Sequence, residues 1–199
     1  MRPLVFLDFD DVLAVHHFQN IYEVMDSFSH GETSSTSELW RDVFDTVAKR
    51  NLGALHMEFL PNYVITSTWA SYLNREQIDQ VLSRTGLQFV QENLCEAWRT
   101  PRNASSSRLS EIESWLDKNA AASHPAYVII DDKVSGGALV DSWLERKTVF
   151  CDAWVGFTSA KLCDASRVLQ RQTLSQTNEV HVTDEHAGSE RFSLKVQNG

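Results

Sequence analysis

Three acidic residues near the beginning of the chain stand where carboxylates could do chemistry. Asp8, Asp10 and Asp11 directly follow a run of apolar residues and have apolar neighbours themselves, in the segment PLVFLDFDDVLA. Taking a carboxylate out of water costs free energy unless a partner compensates its charge, so such residues seldom lie in apolar segments alone. We therefore expect these acids to have a partner.

Two other polar groups follow apolar runs in the same way. Asp131 and Asp132 come directly after the run AYVII, and the hydroxyl residues Thr66, Ser67 and Thr68 come directly after the run YVI. Open parallel sheets bind ligands at the carboxyl ends of their strands. If the three runs are strands of one such sheet, all three polar groups lie at the same edge.

Carboxylates that gather in one cleft repel each other unless a cation or a shared proton compensates them. Oxygen ligands with this charge suit Mg²⁺, which binds one or two carboxylates and keeps water molecules that a phosphate can replace. The acids at the two strand ends therefore predict a magnesium site. The alternative is that Asp8 and Asp10 are ordinary acids that cap a loop or a helix.

The elements that must position these residues alternate between strand and helix. This alternation predicts an α/β fold with a doubly wound, Rossmann-like parallel sheet and helices on both faces. Strands are predicted at 3–9, 63–66, 87–90, 126–130 and 148–151, and helices at 38–50, 74–84, 108–119, 138–146 and 159–170. The polar segment 95–107 contains Pro101 and is predicted to be a loop, in which Arg99 and Arg102 are candidate phosphate contacts.

One domain is predicted at residues 1–171. A chain of 199 residues with 42% hydrophobic residues is large enough for one such core. The polar segment 172–199 has no strong period and is predicted to be a tail that forms a hairpin or is disordered. Residues 14–60 are too few for a separate cap domain beside the predicted helix, so they predict a small flap and an open site.

Composition excludes several classes of function. The formal net charge of −9 argues against an extended duplex-binding surface, which needs a basic footprint, but it is compatible with a local basic pocket. Three cysteines without a CxxC pair argue against a disulfide framework or a structural zinc site. The absence of a signal peptide or a long apolar segment predicts a soluble cytoplasmic protein with no membrane partner.

The ordered motifs resemble those of the haloacid dehalogenase-like (HAD) superfamily. FLDFDDVL is similar to its first motif, VITS to its second and VIIDD to its fourth, and the resemblance covers residues 3–170. More narrowly, STW followed by RLSEIESWL and VIIDD resembles the HAD domain of Swiss Army Knife RNA repair proteins. One departure is Asp11, which stands where the family commonly has glycine.

The resemblance implies a Mg²⁺-dependent phosphomonoesterase that forms an aspartyl-phosphate. Asp8 would be the nucleophile, and Asp10 would be the general acid for the leaving alcohol and then the base for water. The magnesium ligands would be the carboxylates of Asp8 and Asp131 and the backbone carbonyl of Asp10, with Asp132 as a further candidate.

The resemblance also implies how the phosphate is bound. Ser67 would donate a hydrogen bond to a phosphoryl oxygen, and Thr68 is close enough in sequence to contribute. The family usually has a lysine as its third motif, and the matching helix start here holds Arg108, which can make the same contact in bidentate form. Arg102 and Lys133 are the alternative cations.

The substrate predicted for an open site is a phosphorylated small molecule or a phosphorylated nucleic-acid end. Trp69 could stack on a base of such a substrate, or it could pack beneath the sheet edge. The alternative function is a binding or regulatory module that has the fold but no turnover. Arginine in place of lysine favours that alternative, and the complete set of acids favours the enzyme.

Overall fold

The computed structural model describes residues 1–15, 21–29, 37–122 and 124–189. Its strands are β1 (Leu4–Leu7), β2 (Asn62–Ile65), β3 (Leu94–Arg99), β4 (Tyr127–Asp132) and β5 (Thr148–Cys151). They form one five-stranded sheet in the order β3-β2-β1-β4-β5, and every pair is parallel. The predicted α/β, Rossmann-like fold is confirmed.

β1 lies at the centre of the sheet, and its register positions the polar residues at the strand ends. Leu7 pairs with Ile65 of β2 on one side and with Ile130 of β4 on the other. The next residues, Asp8 after β1 and Asp131 within β4, are therefore neighbours across the carboxyl edge of the sheet.

Helices cover both faces of the sheet. They are α1 (Ile21–Ser29), α2 (Ser37–Asp42), α3 (Thr46–Phe59), α4 (Trp69–Tyr72), α5 (Arg75–Arg84), α6 (Gln88–Gln91), α7 (Arg108–Asn119) and α8 (Ser159–Ser189). Val5 and Leu7 of β1 belong to a core shared with α3, α5 and α8. Leu4 and Phe6 face the other way, and Phe6 meets Trp115 of α7 edge-on at a ring distance of 5.3 Å.

Two predictions near the edge of the sheet are wrong. The segment 87–90, predicted as a strand, overlaps the short helix α6, and the edge strand is β3, inside the segment predicted to be a loop. The residues of β3 are only half-buried or exposed, because a single neighbour, β2, pairs with it. Its sequence LCEAWR therefore lacks the continuous apolar run that marks a central strand.

Two predicted helices are also corrected. The helix predicted at 38–50 is divided into α2 and α3, because the Asp45 carboxylate accepts a hydrogen bond of 2.8 Å from the Ala48 backbone N–H and caps α3. The helix predicted at 138–146 is replaced by two 3₁₀ turns, at Gly137–Leu139 and Glu145–Lys147.

The predicted hairpin or disordered tail is corrected for the segment 172–189, which continues α8. This segment contains no proline, and its one glycine is Gly188, so no residue before that position breaks a helix that begins at Ser159. At residue 172 the helix still contacts the sheet, since the Gln172 amide donates to the Tyr127 carbonyl over 2.7 Å. The predicted domain boundary at residue 171 stays a prediction.

The predicted flap falls partly outside the described residues. Within it, α1 contributes the buried Val24 and α2 contributes the buried Trp40 to the core. The extent of the flap stays a prediction. Among the described residues, no helix combines the length and the apolar character needed to cross a membrane. The cytoplasmic location stays a prediction.

Candidate active site

Asp8 lies at the centre of the candidate site. Its backbone N–H continues the sheet by donating to the Ile130 carbonyl over 3.0 Å, while its side chain is only 1% exposed. Neither carboxylate oxygen has a hydrogen-bond partner among the described residues. Burial, and after it the negative charge of Asp131, raises the pKa of Asp8 well above its usual range, although Arg108 opposes the shift.

Asp131 and Asp132 at the end of β4 complete an acidic group with Asp8. Ligand oxygens of the three carboxylates lie within 4.8 Å of one another, and all three residues are buried. One Asp131 oxygen accepts from the Asp132 backbone N–H over 2.9 Å, while the other lies 2.7 Å from Arg108 Nε. Burial raises the pKa of Asp131 to about 7, against the opposing charge of Arg108.

The turn after β4 approaches the acidic group closely. Asp132 accepts a hydrogen bond of 3.0 Å from the Ser135 backbone N–H. A Cβ atom on Gly136 would lie 2.7 Å from the Asp132 carbonyl oxygen and 3.2 Å from the Asp131 carboxyl carbon. Because glycine has no Cβ atom, the turn at position 136 can pack directly against Asp131 and Asp132.

Arg108, the first residue of α7, reaches the acidic group from the adjoining helix. Its Nη2 lies 3.4 Å from Asp8 Oδ1, and its Nε lies 2.7 Å from Asp131 Oδ2. Burial alone would lower the pKa of Arg108, but the carboxylates of Asp8, Asp131 and Glu111 raise it above its usual value. Arg108 is therefore a permanently charged guanidinium inside the site.

The capped start of α7 fixes the direction of Arg108. The Ser107 hydroxyl oxygen accepts a hydrogen bond of 3.3 Å from the Ser110 backbone N–H, and the Ser110 hydroxyl oxygen accepts one of 3.0 Å from the Ser107 backbone N–H. The two alternative cations lie elsewhere. Arg102 contacts Glu111 at 3.5 Å and is partly exposed, and Lys133 is exposed.

Asp10 is close to this group but its carboxylate is held apart from it. One carboxylate oxygen accepts from the Thr68 hydroxyl over 3.0 Å, and the other accepts from the Trp69 indole N–H over 2.9 Å. Trp69 is fully buried, which supports the packing alternative. The Thr68 hydroxyl donates its hydrogen to Asp10. The predicted contact of Thr68 with a phosphoryl group stays a prediction.

Ser67 is buried just after β2, and its predicted role as a phosphate donor stays a prediction. Its Oγ accepts a hydrogen bond of 3.3 Å from the Trp69 backbone N–H at the start of α4, which leaves the hydroxyl hydrogen to donate. The neighbouring Thr66 is also buried, and its hydroxyl has no hydrogen-bond partner within the described ranges.

Asp11 stands in a left-handed backbone conformation, with φ of 53°. Glycine adopts this conformation at the lowest cost and aspartate tolerates it, which explains why glycine is common here. The Asp11 carboxylate accepts a hydrogen bond of 2.9 Å from the Trp154 backbone N–H. The aspartate therefore ties the loop after β1 to the loop after β5.

Glu111 is the site residue that the sequence reasoning missed. It is 2% exposed, contacts Arg108 Nη1 at 3.3 Å and accepts from the Ser106 hydroxyl over 2.7 Å. Its spacing of three residues from Arg108 on a helix was the available signal. Glu111 thus contacts a third nitrogen of the guanidinium, beside the two that contact Asp8 and Asp131.

The donor set fits a divalent cation. Among the described residues, Arg108 is the one buried cation beside the acidic side chains of Asp8, Asp131, Asp132 and Glu111, so the acids outnumber the cations. The buried oxygens of Asp8, which have no hydrogen-bond partner among the described residues, and the neighbouring carboxylates of Asp131 and Asp132 are ligand atoms of the kind that Mg²⁺ binds.

Comparison with known proteins identifies the family. A family model described as the HAD domain in Swiss Army Knife RNA repair proteins matches residues 4–162, which include every strand of the sheet and all the acids described above. Neither the curated proteins nor the solved structures contain a significant match. Because the matched region covers most of the chain, this protein belongs to the family of HAD domains found in Swiss Army Knife RNA repair proteins, within the haloacid dehalogenase-like superfamily of hydrolases.

Proposed function

We propose that the protein is a Mg²⁺-dependent phosphomonoesterase that acts through Asp8, with a phosphorylated nucleotide or nucleic-acid end as substrate. The observation that carries the proposal is the buried Asp8 carboxylate, which lacks hydrogen-bond partners among the described residues and faces Asp131, Asp132 and Arg108. The family supports a phosphohydrolase, and its link to RNA repair supports the substrate class.

The first half of the reaction transfers the phosphoryl group to Asp8. A carboxylate oxygen of Asp8 attacks phosphorus, the ester P–O bond breaks, and the leaving alcohol takes a proton from Asp10. In the second half, water attacks phosphorus and gives a proton to Asp10. The bond to Asp8 then breaks, which releases inorganic phosphate and restores both carboxyl groups.

Asp10 is suited to this proton transfer by its position. It is two residues from Asp8, and Thr68 and Trp69 each contact one of its carboxylate oxygens, which fixes its orientation. A general acid must lie within hydrogen-bond reach of the leaving oxygen, so a fixed orientation beside the nucleophile favours this role.

Arg108 reduces the negative charge of the site, and a bound divalent ion would reduce it further. A divalent ion held by Asp8, Asp131 and the backbone carbonyl of Asp10, with Asp132 as a further ligand, would supply Lewis-acid stabilisation of the phosphoryl oxygens. Arg108 stabilises the ionised form of Asp8, which burial opposes. Ser67 donates its hydroxyl hydrogen to a phosphoryl oxygen.

The test is release of inorganic phosphate from phosphorylated nucleotides and oligonucleotides, with Mg²⁺ or with a chelator. We expect phosphate release only when the divalent ion is present. Asp8→Asn should abolish phosphate release, whereas the control Asp117→Asn, which changes an exposed acid on α7, should retain it. Calorimetric titration with Mg²⁺ gives a readout independent of turnover, and Asp131→Asn should weaken that binding.

Binding of phosphorylated ligands without phosphate release would contradict the proposal. The alternative of a binding or regulatory module would then hold. Metal-independent hydrolysis that survives Asp8→Asn would also refute the assignment of Asp8 and of the ion.

A further inference from the structure

A cleft of about 580 Å³ opens beside the candidate site. Thr66 and Ser67 border it at the end of β2, and Trp115 borders it on α7, so it extends from the phosphate-binding serine along the helix. Its volume lies in the range of sites that bind small molecules, which is roughly 300–1,000 Å³. The cleft is thus large enough to hold a part of the substrate that lies beyond the reacting phosphate.

The charge of this cleft differs from that of the whole chain. Arg99, Arg102 and Lys118 line it, and no carboxylate is among its described lining residues. The chain as a whole carries a net charge of −9. A cationic cleft on an acidic protein attracts anions to one place, because the remaining surface repels them.

The two arginines are held in place but keep donors for a ligand. Arg99 donates to the Ala70 carbonyl oxygen, and its guanidinium carbon lies 5.1 Å from the centre of the Trp98 ring. Arg102 contacts Glu111 at 3.5 Å, and 36% of its side chain is exposed. A guanidinium has five N–H donors, so these contacts do not exhaust either side chain.

We infer that this cleft binds the phosphodiester adjacent to the reacting phosphate, so that the preferred substrate is the phosphorylated end of a single-stranded oligonucleotide. The inference rests on the function proposed above, since it assigns the reacting phosphate to Asp8 and Ser67. Thr66 and Ser67 line the cleft, and the Thr66 backbone N–H donates over 2.9 Å to the carbonyl of Leu7, the residue before Asp8, so the two subsites are adjacent.

The chemistry of the cleft also excludes other occupants. A phosphorylated small molecule that occupied only the reacting site would not reach the three cations that line the cleft. A duplex would require a basic footprint that extends beyond one cleft, which the net charge of −9 opposes. A flexible single strand carries phosphates at short intervals and can follow a one-sided cationic groove.

The experiment compares a short phosphorylated single-stranded oligonucleotide with the corresponding mononucleotide. kcat/KM is measured for the wild-type full chain and for the double variant that carries Arg102→Gln and Lys118→Gln. The control is Arg50→Gln, which changes an exposed cation on α3. Fluorescence anisotropy of the labelled oligonucleotide, measured on the same proteins with Asp8→Asn added, reports binding without turnover.

We expect kcat/KM for the oligonucleotide to fall about tenfold more than that for the mononucleotide when the two cations are removed, as two partly exposed ion pairs would give. The salt dependence of oligonucleotide binding should weaken by about 0.7 in logarithmic slope per lost phosphate contact. Arg50→Gln should change neither quantity.

Equal losses for both substrates, or oligonucleotide binding that does not depend on the cleft cations, would overturn the inference while leaving the phosphatase intact. Preference for a phosphorylated peptide or small molecule would overturn it as well. Cleft-dependent oligonucleotide binding without any phosphate release would instead refute the proposed function.

Discussion

Replacement of Arg108 by alanine should affect both stability and turnover. The change leaves Asp8, Asp131 and Glu111 buried without the guanidinium that now lies 2.7–3.4 Å from their oxygens. Removing one partner of a buried ion pair costs about 3–5 kcal/mol, because the other charge stays buried. Loss of one preorganised electrostatic contact costs about 10²–10³ in kcat, so we expect losses of these sizes at neutral pH.

The matched variant is Arg108→Lys, which keeps the charge but cannot contact all three carboxylates as the guanidinium does. It should fall between wild type and Arg108→Ala in both measurements. Urea unfolding without divalent ions gives the stability, and phosphate release from a phosphorylated oligonucleotide gives the rate. Wild-type stability and turnover in Arg108→Ala would refute the role that we assign to this buried charge.

Three other predictions follow from the geometry of the site. Asp10→Asn should slow turnover by about 10²–10⁴, with a smaller loss for good leaving groups that need no proton, and equal losses for good and poor leaving groups would exclude the general-acid role. Because the folded-state pKa of Asp131 is raised to about 7, its contribution to stability without metal is present below the unfolded pKa near 3.8 and is lost as pH rises through about 7. The free energy of unfolding, measured across this pH window, should show that loss. Asp131→Asn should make it depend less on pH, and an unchanged pH dependence in Asp131→Asn would contradict the raised pKa of Asp131. Gly136→Ala should displace Asp131, destabilise the protein by about 1–3 kcal/mol and lower turnover. The control Gly137→Ala, whose Cβ would meet nothing within 4 Å, should behave as wild type. Equal effects of the two substitutions would contradict the close approach of Gly136 to Asp131.

The centre of the fold could be predicted from the sequence for a simple physical reason. β1 and β4 are buried on both faces, so their sequences are uninterrupted apolar runs, and the acids that end them stand out. The parallel arrangement then brings Asp8 and Asp131 together without any knowledge of loops. The helix at 108–119 was also predicted with its correct bounds, because Leu109, Ile112, Trp115 and Leu116 recur at helical spacing.

The periphery could not be predicted in this way. β3 is an edge strand, so its mixed sequence resembles a loop, and α8 continues through a polar segment whose composition does not distinguish helix from tail. The contacts of Asp10 with Thr68 and Trp69, and of Glu111 with Arg108, depend on side-chain directions after the strands end. Such directions follow from packing rather than from sequence spacing.

The most direct test of the account is chemical trapping of the phosphorylated intermediate. The protein is mixed with a phosphorylated oligonucleotide and Mg²⁺, quenched rapidly in acid and reduced with borohydride, which converts an aspartyl-phosphate into homoserine. We predict homoserine at position 8, dependent on both substrate and Mg²⁺ and absent from Asp8→Asn. A protein that releases phosphate but carries the label on another residue, or on none, would contradict the assignment of Asp8 as the nucleophile.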